Sequence, residues 1–131
     1  MKLMTFLKHA SMISLLAVGC ATIATAQTQQ DPRLAQLADA AGCEFPDVPT
    51  IPAAEGATME QMVATQGAIQ SYIAESNELL ACLEAISGNT ELTEEDRQLA
   101  LSAYNAEVAN QEALAADWNV QRTAFLEMQQ Q

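Results

Sequence analysis

Beyond His9 the chain has no lysine and no histidine, and its only cations there are Arg33, Arg97 and Arg122. General acid–base catalysis near neutral pH draws most often on histidine, and Schiff-base chemistry requires lysine. Without either, the usual triads and carbonyl-capturing sites are excluded from that stretch. Zinc goes with them, since it wants cysteine or histidine ligands, and the alternating acids around a central glycine that mark a calcium loop are missing too. Neither a cofactor nor a metal is expected, and the chain reads as a non-enzyme. Long hydrophobic runs are also lacking. The uncharged stretch 12–21 is about half the roughly 20 residues that a membrane-spanning helix requires.

What that stretch fits is an export signal. Lys2, Lys8 and His9 give a positive start, residues 12–21 an apolar middle, and Ala24-Thr25-Ala26 small residues before a cleavage between Ala26 and Gln27. The expected product is periplasmic or secreted. An alternative is written in Ala17-Val18-Gly19-Cys20, which approximates a lipoprotein box. Cys20 would then be acylated, and the chain would be tethered to the outer membrane as a spacer or accessory subunit. After cleavage at Ala26, three arginines face seventeen carboxylates, a formal charge of −14. So acidic a body repels phosphate backbones and anionic lipid surfaces, which argues against a nucleic-acid partner and against membrane insertion after signal removal. Under either processing, Cys43 and Cys82 remain as two unacylated thiols in a chain bound for an oxidising compartment, so a Cys43–Cys82 disulfide is expected.

The periodicities predict an all-α fold: an antiparallel, coiled-coil-like two-helix hairpin preceded by a short N-terminal helix and an extended proline-rich arm. Residues 1–26 are the signal, 27–57 the short helix and arm, and 58–131 the hairpin. Asp31-Pro32 starts the short helix, with proline at its first position, and Gly42 ends it after Ala41. Pro46, Pro49 and Pro52 then recur every third residue, the polyproline-II period, with Phe45, Val48 and Ile51 between them on one apolar edge. Thr58-Met59-Glu60-Gln61 is a capping box that opens a helix running to about Ser87. Met62, Ile69 and Leu83 form one row of its apolar face, Tyr72, Leu79 and Ile86 a second, and Ile73 and Leu80 flank them. Gly88-Asn89 stops it, and Thr93-Glu94-Glu95-Asp96 starts a second helix, about 93–128, with acids in the dipole-favoured first turn. That helix is predicted to face its partner with Leu101, Tyr104, Val108, Ala115, Trp118 and Phe125, interrupted by Arg97, Gln111 and Arg122. Arg122 is expected to lay its stem on apolar surface with its head toward carboxylates. From Met59 to Cys82 such a helix rises about 35 Å, while the arm from Cys43 to Met59 can reach about 50 Å, so the arm can run back along the first helix from its far end.

Few residues are candidates for function. Glu91, Glu94, Glu95 and Asp96 are crowded enough to perturb one another, yet a solvated helix start explains them more simply. Met59 and Met62 sit one helical turn apart, a spacing suited to Cu(I), though packing is the commoner use of such a pair. Tyr104, Trp118 and Phe125 are the candidate partner contacts, set against ordinary packing on the apolar stripe. Ala106, Ala109, Ala113 and Ala116 form a ladder of small residues that permits close helix approach. A hairpin that covers one side of each helix often completes its burial by pairing, so a protein partner or self-association is expected.

Between Pro49 and Leu83, the order Pro-Thr-Ile-Pro, Gly56-Ala57-Thr58, Glu60-Gln61-Met62, Gln66, Ile69, Tyr72 and Leu80-Ala81-Cys82-Leu83 resembles a group of short exported proteins of proteobacteria. Trp118-Asn119 and Phe125 are similar to that group's later aromatic positions. The resemblance implies an exported helical hairpin without an assigned activity, and it carries over no functional residue.

Overall fold

The computed structural model describes residues 31–131, which form three α-helices: α1 (Pro32–Ala41), α2 (Met59–Ser87) and α3 (Glu94–Gln129). Cys20, Ala26 and Gln27, on which the signal and lipidation readings rest, lie outside the described residues. Each helix begins on a side-chain cap. Asp31 accepts from the Arg33 amide ahead of Pro32, Thr58 and Gln61 close a reciprocal capping box, and Thr93 accepts from the Asp96 amide. These bonds satisfy backbone donors that a first turn leaves without intrahelical partners. At the other end of α1, Gly42 adopts φ 73°, a left-handed conformation that a side chain would oppose, and turns the chain out of the helix.

α2 and α3 pack along most of their length, joined by residues 88–93. The pairing is antiparallel: Leu83 lies in a cluster with Ala103 and Tyr104, Ser76 bonds Glu107, and Met62 packs with Phe125. On α2 the buried side falls on the two heptad rows expected, Met62, Ser76 and Leu83 in one, Thr65, Tyr72, Leu79 and Ile86 in the other. On α3 the expected face is only half right. Phe125 is buried, and Tyr104 and Trp118 are partly buried, but the companion row is Ala100, Glu107 and Leu114, not Leu101, Val108 and Ala115. Leu101 is 41% exposed and Ala115 is exposed.

The reason for that shift is a third layer. The segment before α2 lies as a strap along one side of the hairpin. α1 packs on both long helices, and Arg33 reaches Asp96 in a two-pronged ion pair with both bonds at 2.7 Å. Leu34 joins Leu79 and Leu83, with Cys43 and Phe45 against them, while further on Ala54 joins Met62 and Phe125, and its amide donates to Gln121 Oε1 at 2.9 Å. α3 therefore turns its buried side toward residues that can meet both α2 and the strap: Asp96, Ala100, Ala103, Gln121 and Ala124. Cys43 and Cys82 stand at disulfide-bonding distance, their Cα atoms 5.7 Å apart, where the strap leaves α1. Among the described residues, no helix is long and apolar enough to cross a membrane.

Candidate functional site

Midway along the seam the core turns polar. Glu107 is 7% exposed, and its Oε1 accepts from the Tyr72 hydroxyl at 2.7 Å and from the Ser76 hydroxyl. Its Oε2 accepts from Asn110 Nδ2 at 3.2 Å, and Gln111 Nε2 donates to Ser76 Oγ at 2.7 Å and to Asn77 Oδ1 at 3.2 Å. A carboxylate taken out of water needs such donors, since each lost bond would leave a buried polar atom unpaired. Burial, followed by the bond to Glu107 and the nearness of its charge, pushes the Tyr72 phenol well above its ordinary range. Its buried members, Tyr72, Ser76 and Glu107, bond one another, and Asn110, Gln111 and Asn77 carry the layer out to the surface. Sequence reading placed Tyr72 in the core but missed Glu107, whose only signal was its seven-residue spacing from Ala100 and Leu114.

Beside the strap, a shallow cleft of about 210 Å³ opens over Cys43 and Cys82. Phe45, Pro46 and Leu79 form its apolar part, with Glu44, Glu75 and Glu78 around them. The ionisable groups on its walls are these three carboxylates.

Among the described residues, no further element packs on the opposite groove between α2 and α3. Successive residues on a helix are turned by about 100°, so α2 residues on the strap side, Glu75, Glu78 and Cys82, and the residues Ile73 and Leu80 fall on opposite flanks of Tyr72 and Leu79. On α3, likewise, Ala100, Ala103 and Glu107 lie on one flank of Tyr104, and Leu101 and Val108 on the other. The uncovered groove is thus bordered by Ile73, Leu80, Leu101 and Val108. Met59, at the start of α2, continues the Ile73–Leu80 row two heptads earlier and is 56% exposed.

Other candidates fare as follows. Phe125 is 3% exposed, whereas Trp118, packed against its cluster, and Tyr104, packed against Leu79 and Leu83, are partly buried and keep part of their surface outside. Met62 is buried beside Phe125 while Met59 is exposed, so the two thioethers present no common site. Asp96 leaves the acidic helix start to pair with Arg33, whose hydrogen bonds, aided by Thr93, hold its carboxyl below the usual carboxylate range. Arg122 is exposed and makes no ion pair among the described residues. Ala109, Ala113 and Ala116 are exposed and Ala106 partly buried. Among the described residues, no three Cys, His, Asp or Glu side chains converge as a metal site would need. Comparison with protein-family models, with curated proteins and with solved structures finds no match.

Proposed function

We propose that this chain is an exported, non-enzymatic helical protein that works by binding another protein surface through the uncovered groove of its hairpin. The observation that carries this reading is the one-sidedness of the covering. α1 and the arm close one groove, while the groove on the other side leaves Leu101 41% exposed and Ile73, Leu80 and Val108 half-buried among the described residues. An apolar face that the chain's own strap leaves open is the kind of surface partners use. Export is supported by the signal-like start and by two cysteines placed to bond.

Cross-linking in intact cells, with photoreactive groups placed at Leu80 or Leu101, tests the binding reading. Links to a protein surface are expected from these positions and not from Glu44 or Glu78 on the strap side. An equal yield from both sides would end it. The mass of the intact product separates the two processing routes: a chain starting at Gln27 supports the periplasmic form, and a diacylglyceryl adduct on Cys20 the tethered one.

A further inference from the structure

The uncovered groove carries a charge order that matches its own reversed copy. On α3, seven-residue steps from Glu94 give Leu101, Val108, Ala115 and Arg122, one row along the groove with an acid at one end, a base at the other and apolar residues between. The α2 row on the other border reads Met59, Gln66, Ile73, Leu80 and Ser87, with no charge at all. In a chain of formal charge −12, the α3 row sets one base against one acid. The strap side, by contrast, sets Glu44, Glu75 and Glu78 around one cleft.

Resting on the protein-binding reading above, we propose that the occupant of this groove is a second copy of the chain, related by a twofold axis beside Val108. Reversing the α3 row about that point superposes Glu94 on Arg122, Leu101 on Ala115 and Val108 on itself, so an isologous pair sets acid against base at both ends and a large side chain against a small one between. Arg122 is exposed without an ion pair among the described residues, and the Glu94 side chain remains 66% exposed while it holds Arg97. The net negative charge of the chain opposes association, and the two acid–base pairs offset it locally. A partner of unrelated sequence would have to supply the complementary order independently, whereas a second copy supplies it by symmetry. Each row runs roughly 42 Å along its helix, and with a width of roughly 20 Å across both helices the two copies would cover about 1,700 Å² in total, within the range of stable interfaces.

The test is light scattering and sedimentation of the full chain, purified without reductant from the envelope fraction, at tens of micromolar. A dimer is expected, with Val108→Glu raising its dissociation constant about tenfold or more by setting two carboxylates beside the axis. Arg122→Glu should weaken the pair, and Arg122→Glu with Glu94→Arg should restore it, a rescue that a purely structural role would not produce. Helix content by circular dichroism accompanies each measurement, and if Val108→Glu loses it, the charge-swap pair decides. A monomeric wild type, or a dimer indifferent to Val108→Glu and Arg122→Glu, overturns the proposal. Groove cross-links in cells that reach only a different protein, with a monomeric purified chain, overturn self-pairing but leave the binding reading standing. No groove-specific link of any kind sinks both.

Discussion

Glu107 shows how a single side chain can decide the setting of a helix. Buried among Tyr72, Ser76 and Asn110, it is stable there only because each oxygen meets donors. Glu107→Ala strands two hydroxyls and opens space, and it should lower unfolding free energy by about 2 kcal/mol in urea titrations. Adding Tyr72→Phe and Ser76→Ala to Glu107→Leu should recover much of that loss, because partners removed together leave nothing unpaired. If the single variant matches the wild type, the layer has no energetic role. Two titrating groups predict the pH limits. The folded-state pKa of Asp96 lies below its unfolded value, so its contribution is present above about pH 4 and is lost as pH falls through the folded value. Asp96→Asn should flatten the acid arm of a stability profile. Tyr72 is shifted upward, so its contribution is complete below about pH 10 and lost as pH rises through the folded value. Absorbance titration should show a late-ionising phenol that Tyr72→Phe removes.

Among the elements, the helix starts were the most readable, because capping is chemistry between neighbours in sequence. Asp31, Thr58 with Gln61, and Thr93 each bond an amide two or three residues on. Thr58→Ala should cost about 1 kcal/mol in thermal or urea unfolding, and a change within error would mean that tertiary packing alone sets the start of α2. The α2 face was equally plain, since large apolar residues dominate two heptad rows. α3 misled because alanine occupies much of it and the strongest apolar residues nearby, Leu101 and Val108, flank the seam instead of filling it. Leu83, fully buried where α1, α2 and α3 meet, tests the convergence: Leu83→Ala should cost about 3 kcal/mol, more than Leu101→Ala.

For the molecule as a whole, the strap is what turns a hairpin into a three-layered body. Two apolar clusters lie on either side of the polar layer, and each is completed by a piece of strap, Leu34 with Phe45 at one end and Ala54 at the other. The Cys43–Cys82 pair, 39 residues apart in sequence, joins the strap to α2 beside the first cluster. Bonded, it should contribute roughly 4 kcal/mol through the entropy of the unfolded chain. Reduction should therefore lower the melting temperature markedly, and alkylation without reductant should label neither thiol. Labelling of both, or a melting curve blind to reductant, would remove the latch from this account.

Local interactions were written in the order of the residues: the caps, the proline spacing, the helical rows of α2 and the pairing of two cysteines by elimination. Which flank of α3 goes inward was not, because that choice depends on segments more than fifty residues apart meeting on one surface. Arg33 with Asp96 and Ala54 with Gln121 draw α3 toward the strap, and the donors of Tyr72 and Ser76 make room for a carboxylate where apolar patterning would never place one. Periodicity marks which residues share a helix face, whereas the burial of each face follows from the neighbours that arrive beside it.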